Sequence, residues 1–255
     1  MRILLLALAA MLPAAATAAE CSARSGPATA VLAELYTSEG CSSCPPADRW
    51  LSTLPGSGAL ARRVVPLAFH VDYWDSIGWK DRFASPDFTR RQREGARLPG
   101  SSSVYTPQVR LAGRDFRGWH SPPAFSQALA EAGSRPARAE LGIAARGSGG
   151  MLRVSVEAAA KDGPGDLVLF LALTESRLET AVGAGENRGE TLRHDHVVRA
   201  LRSLGALDAS GRRNETVVWP LDAGWKREDL AIAAFLQDRG SGEVVQALRL
   251  PLCPG

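Results

Sequence analysis

Two cysteines three positions apart, Cys41 and Cys44, most constrain what this chain can fold into. They follow an apolar stretch at residues 28–36, which is typical of a buried β-strand, and two prolines come directly after them. Because proline is tolerated in an α-helix only within the first turn, the pair predicts a helix over about residues 43–54. The N–H groups and dipole of a helix N-terminus stabilise a thiolate, so Cys41 is predicted to be the more reactive thiol.

The first residues have the pattern of a secretory signal peptide over residues 1–19. Arg2 precedes an apolar run at residues 3–12, and small residues follow up to a cleavage point near Ala18 or Ala19. No later stretch is long and apolar enough to span a bilayer, so we expect a periplasmic or secreted protein without a stable membrane anchor. A net charge of +3 spread along the chain argues against nucleic-acid binding.

The chain has four cysteines, an even number that suits disulfides in an oxidising compartment. If Cys41 pairs with Cys44, then Cys21 is left to pair with Cys253 as a structural disulfide. Zinc needs a second pair of ligands at suitable spacing, and the sequence has neither another CxxC nor an HxxxH. We therefore expect no resident metal and no other cofactor.

The two halves of the chain differ in their sequence pattern. In the first half, a further buried strand is predicted at residues 64–71, a hairpin at 104–119, and helices at 87–97 and 121–132. After a linker at residues 133–136, seven short segments with turn residues between them predict a β-sandwich. These strands are expected at residues 139–145, 152–158, 167–174, 192–201, 215–221, 230–237 and 244–250.

The order strand, CxxC, helix, with Thr106-Pro107 before a later strand, resembles the thioredoxin fold, whose cis-proline lies beside the disulfide. The resemblance implies that Cys41 is the exposed nucleophile and Cys44 the buried resolving thiol. It also implies that Pro107 is the cis-proline and that Thr106 offers its backbone to an extended substrate; alternatively, Pro107 is an ordinary proline at a strand start. Glu34 would match the buried acid that moves protons in thioredoxins, or else it is a strand glutamate paired with an arginine.

Two longer motifs narrow the resemblance. Residues 34–48, ELYTSEGCSSCPPAD, resemble the signature of a secreted bacterial family catalogued as domain of unknown function 1223, and residues 185–200, GENRGETLRHDHVVRA, are similar to its second signature. The resemblance covers essentially the whole mature chain. It implies an α/β thioredoxin-like domain over residues 22–133 and an all-β sandwich domain over residues 136–255.

The histidines suggest alternatives. His70 ends a predicted strand, where it either walls the substrate groove beside the disulfide or completes a Cu(I) site with the thiols, since thiolates favour Cu(I). His194 and His196 stand at positions i and i+2 of one predicted strand, so their side chains are expected on the same face. No further ligands accompany them in the sequence, which favours a structural, hydrogen-bonded role.

These observations predict thiol–disulfide exchange with the thiols or disulfides of an exported protein. The Cys41 thiolate would attack a partner disulfide, Cys44 would resolve the mixed disulfide, and a second, unidentified redox partner would restore the starting state. The alternative is a binding module without catalytic activity, or a Cu(I)-handling protein, that uses the CxxC as a structural disulfide or a copper site. Both alternatives remain open from the residues alone.

Overall fold

The structure, a computed structural model, describes residues 20–54, 63–98, 103–163 and 165–253. Residues 1–19, where the sequence predicts the signal peptide, lie outside the described residues. Strands make up most of the regular structure. In chain order they are Glu20–Arg24 (β1), Val31–Thr37 (β2), Val64–His70 (β3), Gln108–Leu111 (β4), Arg114–Asp115 (β5), Ala139–Ser148 (β6), Met151–Ala160 (β7), Leu167–Glu175 (β8), Leu178–Ala181 (β9), Thr191–His194 (β10), Val197–Ala206 (β11), Arg212–Pro220 (β12), Leu230–Asp238 (β13) and Val244–Pro251 (β14).

Three α-helices and three 3-10 segments complete the regular structure of the described ranges. The α-helices are Pro45–Ser52 (α1), Pro86–Ala96 (α2) and Pro122–Gly133 (α3), and the 3-10 segments are Asp72–Ile77, Arg117–His120 and Arg227–Asp229. Each α-helix begins with proline, whose missing N–H costs nothing in the first turn. Ser85 and Ser121 cap α2 and α3 with their hydroxyls, whereas Cys44 is the N-cap of α1 and makes no side-chain capping bond. No helix among the described residues is long and apolar enough to cross a membrane.

The strands form three sheets. The largest has eight strands in the order β14-β13-β8-β11-β3-β2-β4-β5, the second has the order β1-β6-β7-β12, and β9 pairs with β10. Strands from the two halves of the chain meet inside the large sheet, where Val197 of β11 pairs in parallel with Ala68 of β3. The four-stranded sheet packs on the β8, β13 and β14 side of the large sheet through one apolar cluster, which gives a β-sandwich.

The predicted fold class, an α/β thioredoxin-like domain followed by an all-β sandwich, is wrong. The molecule is mainly β, and the strands around the CxxC belong to the same sheet as those of the second half. Local patterns identify strands but not their neighbours; without β11, β3 would be a sheet edge with unpaired backbone groups, and β11 covers it. The domain boundary placed near residues 134–135 stays a prediction, and strands from both sides of it pair with one another.

The large sheet curls until its two ends meet. Val244 N donates to Ala112 O at 3.0 Å, so the turn after β4 touches the start of β14. Gly113, with φ +86°, is required there because an added Cβ would lie 1.9 Å from Gly242 O. This curvature gives the sheet an outer face, beneath α1 and α3, and an inner face, beneath α2.

Residues of β2 alternate between these two faces. Val31, Ala33 and Leu35 pack in the cluster that includes Ala47 and Leu51 of α1. The intervening Leu32 and Tyr36 pack with Phe88 of α2 on the other face. The position of each side chain along β2 therefore decides whether it can reach the CxxC.

Candidate functional site

The centre of the candidate site is the disulfide between Cys41 and Cys44, whose Cα atoms are 5.4 Å apart. Cys41 lies in the turn after β2, and the Cys44 carbonyl accepts hydrogen bonds from Ala47 N and Asp48 N in the first turn of α1. Both cysteines are 0 % exposed. Cys41 is therefore buried in this disulfide form and not the exposed residue that the thioredoxin resemblance implied.

Side chains from two other segments cover the Cys41 sulfur. The Thr106 hydroxyl donates to Cys41 Sγ at 3.4 Å, and the indole N–H of Trp74, in the 3-10 segment Asp72–Ile77, donates to Thr106 Oγ1 at 2.8 Å. The peptide bond between Thr106 and Pro107 is cis. Gly40 lets Trp74 approach, because a Cβ there would lie 3.1 Å from Trp74 Cβ. We call Trp74 and Thr106 the cover of the disulfide.

A cluster of buried ionisable side chains lies against the loop that carries the cysteines. Its members, each at most 7 % exposed, are Glu39, Asp48, His70, Asp81 and His194, and we call them the acid–histidine cluster. His70 Nδ1 lies 2.7 Å from Asp81 Oδ2, and His194 Nε2 lies 3.3 Å from Glu39 Oε1. The two imidazole rings meet edge to face at 4.9 Å. Asp81 also accepts from Glu39 N at 2.9 Å, which ties the cluster to the backbone just before Cys41.

Burial and pairing shift the protonation of this cluster in opposite directions. Burial raises the pKa of Asp48, against the opposing influence of the two histidines and of the Thr37 hydroxyl, which donates to Asp48 Oδ2 at 3.2 Å. Burial alone would lower the pKa of His70, but the Asp81, Asp48 and Glu39 carboxylates together outweigh it and raise that pKa. Burial alone would raise the pKa of Asp81, but His70 and the N–H groups of Glu39 and Phe83 together lower it. Asp48 is thus the member that holds its proton to higher pH than an ordinary aspartate.

Glu34 lies on the other face of β2 from α1. Its carboxylate accepts from Arg91 Nε at 2.8 Å and from the Tyr36 hydroxyl at 3.4 Å. The Arg91 guanidinium lies over the Phe170 and Phe235 rings, 5.0 Å from each centroid. Of the two alternatives for Glu34, a proton-transferring acid or a strand glutamate paired with an arginine, the structure shows the second. Glu34 does not lie beside the disulfide.

The buried acid that α1 itself carries is Asp48, which was not predicted from the sequence. The signal was present, because Asp48 stands four positions after Cys44, which is one helical turn along the same face. Thr37, the last residue of β2, points to that same side and bonds Asp48.

His70, His194 and His196 lie in two different environments. His70 and His194 belong to the acid–histidine cluster, so His70 is buried beneath the disulfide loop and does not wall an open groove. The expectation that His194 and His196 share one strand face is wrong, because the strand breaks between β10 and β11 and His196 adopts φ +58° there. Burial lowers the pKa of His196 to about 4. In the described ranges, no three His, Cys, Asp or Glu side chains are grouped to hold a metal ion.

The segment between β9 and β10 lies against the disulfide loop. The Asn187 side-chain amide, itself buried, donates to Glu39 O at 2.8 Å and to Cys41 O at 3.1 Å. The Glu186 carboxylate accepts from Ser42 N at 2.9 Å. The two sequence motifs, although about 140 residues apart, therefore build one site.

The second disulfide lies elsewhere in the molecule. Cys21 of β1 is bonded to Cys253, which follows β14, and Cys21 is buried in the core of the sandwich. Both disulfides that the sequence predicts are thus present.

Fold and site together define a mainly β protein with a buried CxxC disulfide above an acid–histidine cluster. The chain belongs to the family described as "Protein of unknown function (DUF1223)", whose model matches residues 32–237. The crystal structure of a protein from Agrobacterium tumefaciens is similar, with 28% identity and a TM-score of 0.64 over 89% of this chain and 96% of that one. HBP35 of Porphyromonas gingivalis shares the fold at 17% identity, with a TM-score of 0.64 over 89% of this chain and 76% of that one. A comparison with curated proteins finds no match.

Proposed function

We propose that this protein is an exported thiol–disulfide oxidoreductase that exchanges with a protein partner through Cys41 and Cys44. The observation that carries the proposal is the Cys41–Cys44 disulfide at the start of α1, with Cys44 as the N-cap. In the reduced protein, backbone N–H groups at a helix N-terminus favour a thiolate. The pairing of Cys21 with Cys253 leaves this CxxC as the dithiol available for exchange.

The proposed reaction is a two-step exchange. The Cys41 thiolate attacks one sulfur of the partner disulfide, and the other partner sulfur leaves as a thiolate and takes up a proton. The Cys44 thiol then loses its proton and attacks Cys41 Sγ, which releases the second partner sulfur. Two electrons and the Cys44 proton pass from the protein to its partner, the other proton comes from the solvent into which the Cys41 thiol released its own, and a dithiol donor restores the reduced CxxC.

Asp48 supplies a proton site for the second step. Its buried carboxyl group lies in α1 one turn below Cys44, and its pKa is raised by burial. An acid whose pKa moves toward neutral pH can both accept and return a proton under working conditions. We propose that Asp48 accepts the proton that the Cys44 thiol loses. The charges of His70 and Asp81 then tune the pKa of Asp48.

The buried sulfur requires that the cover move during exchange. Attack on a disulfide needs access to one sulfur, and Cys41 is 0 % exposed beneath Thr106 and Trp74. The cover is held by two hydrogen bonds in series, from Trp74 to Thr106 and from Thr106 to Cys41. An extended partner segment that displaces Thr106 would expose the sulfur at the moment of binding.

The test is to trap the partner in the native compartment. Cys44→Ser removes the resolving thiol, so the mixed disulfide at Cys41 should accumulate and identify exported partners by mass spectrometry. The matched control is Cys41→Ser/Cys44→Ser, which should trap nothing. If the single variant captures no more than the double variant, the exchange proposal is overturned.

A second candidate function is supported by the same burial. A disulfide with both sulfurs covered also suits a binding module in which the CxxC is only structural. Such a disulfide would have a reduction potential below about −300 mV, whereas exchange proteins lie above that range. Equilibration with a dithiothreitol redox couple, read by thiol labelling, separates the two functions.

A further inference from the structure

Glu186 places a carboxylate on the N–H group that lies between the two cysteines. Its side chain accepts from Ser42 N at 2.9 Å, and this hydrogen bond lowers the pKa of Glu186 below its usual range. The carboxylate is therefore ionised at neutral pH. Glu186 is itself an exposed residue, whereas both cysteines are buried.

The position of Glu186 is fixed by the loop that carries it. Within this loop Val182 N donates to Glu190 O at 2.9 Å, and Gly189 N donates to Val182 O at 2.8 Å. Asn187, the next residue after Glu186, is anchored to the carbonyls of Glu39 and Cys41. On the other side Gly185 packs so closely on Trp79 that an added Cβ would lie 3.0 Å from Trp79 Cβ. The carboxylate is thus held at Ser42 from both sides.

The charge and the hydrogen bond act on Cys41 in the same direction. A negative charge beside a thiol disfavours its thiolate, and an N–H group that is bonded to a carboxylate is less available to stabilise that thiolate. A less stable thiolate makes the dithiol easier to oxidise, because the disulfide carries no charge to be penalised.

Resting on the proposed exchange function, we propose that Glu186 is a positioning residue that restrains Cys41 and stabilises the Cys41–Cys44 disulfide. In this arrangement a residue of the second motif, residues 185–200, tunes the reduction potential of the Cys41–Cys44 pair in the first. The acid–histidine cluster beneath the disulfide loop is unchanged in every variant compared below.

The first measurement uses the single thiol of a Cys44→Ser background. The alkylation rate of Cys41 by iodoacetamide at pH 7 should rise about threefold to tenfold when Glu186→Gln is added, because the loss of a nearby negative charge favours the thiolate. Glu186→Gln keeps an oxygen that can accept from Ser42 N but removes the charge. This reaction requires no partner, so it tests Glu186 even if no exchange partner exists.

The second measurement is the equilibrium constant of the native dithiol pair against glutathione. Glu186→Gln should shift it threefold to tenfold toward the dithiol, where tenfold corresponds to about 30 mV. Glu190→Gln is the matched control, because Glu190 is an exposed carboxylate of the same loop whose backbone, not side chain, makes the loop's hydrogen bonds. It should leave both measurements unchanged.

Three outcomes would overturn the role of Glu186. The first is Glu186→Gln behaving like the parent protein while Glu186→Ala does not, because then the residue only holds the loop. The second is an equal shift for Glu190→Gln, which would make the effect a general one of net charge. The third is a slower alkylation in Glu186→Gln. If the trapping experiment fails but Glu186→Gln still shifts both measurements as expected, only the exchange function is overturned.

Discussion

Two buried acids on opposite faces of β2 have different partners and therefore different chemistry. Glu34 has a fixed cation, Arg91, and a hydrogen bond from the Tyr36 hydroxyl. Asp48 has a hydroxyl partner, Thr37, and histidines that influence it from within the cluster. A carboxylate paired with a fixed cation holds structure, whereas one that burial pushes toward the neutral form can exchange a proton.

Glu34→Gln should destabilise the fold without slowing exchange. Removing one member of a buried ion pair leaves the Arg91 charge uncompensated and costs about 3–5 kcal/mol. The free energy of unfolding in urea measures this loss, and Glu34→Gln/Arg91→Met should recover part of it. The rate of disulfide reduction by dithiothreitol should match that of the parent protein. If the folded variant is reduced by dithiothreitol much more slowly than the parent protein, Glu34 takes part in the exchange reaction after all.

Asp48→Asn should slow exchange and flatten its pH dependence. Asparagine keeps an oxygen for the Thr37 hydroxyl but cannot carry the Cys44 proton, so we expect the rate at pH 7 to fall about tenfold or more. Stopped-flow reduction by dithiothreitol between pH 5 and 9 would show the change. Asp162→Asn, at an exposed turn, is the control. A pH profile that is unchanged in Asp48→Asn would contradict the assignment.

At the scale of elements, the sequence predicted local structure better than faces and neighbours. The prolines after Cys44 located the start of α1, and a hairpin was predicted over residues 104–119, where β4 and β5 pair. Glu34 was expected beside the disulfide, and Asp48 was not considered, because alternation along a strand does not say which face a helix covers. The break between β10 and β11 was missed because neither glycine nor proline marks it, and its positive-φ residue is His196, where glycine is the usual signal.

The turn between β10 and β11 makes the fold sensitive to acid. Burial lowers the pKa of His196 from 6.5 to about 4, so the unfolded chain binds this proton first as pH falls. Its contribution to the free energy of unfolding is complete above pH 6.5 and is lost progressively down to about pH 4, by about 3 kcal/mol at most. His196→Asn, with a residue that tolerates positive φ, should remove this part of the acid sensitivity.

Urea unfolding at pH 7 and pH 4.5 checks this expectation. The parent protein should lose more stability between the two pH values than His196→Asn does. His120→Asn removes an exposed histidine and should leave the difference unchanged. Equal losses in the parent and in His196→Asn would show that other groups carry the acid sensitivity.

At the scale of the whole molecule, several connections join the halves of the chain, and two of them lie close to the site. One is the large sheet, in which β11 pairs with both β3 and β8. The other is the clamp on the disulfide loop, where Asn187 and Glu186 from the second half bind the backbone of the first. The cluster beneath the disulfide loop takes His70 from β3 and His194 from β10, so both halves of the chain are needed to build the site.

The Cys21–Cys253 disulfide should dominate global stability, while Cys41–Cys44 should not. The first closes a loop with a sequence separation of 232 and the second one of 3, and the chain-entropy relation gives upper limits of about 5 and about 2 kcal/mol. Cys21→Ala/Cys253→Ala should therefore lower the free energy of unfolding much more than Cys41→Ala/Cys44→Ala.

Because one sheet spans both halves, circular dichroism and tryptophan fluorescence should report a single coincident urea transition for the parent protein. Two separate transitions would instead support the domain boundary near residues 134–135.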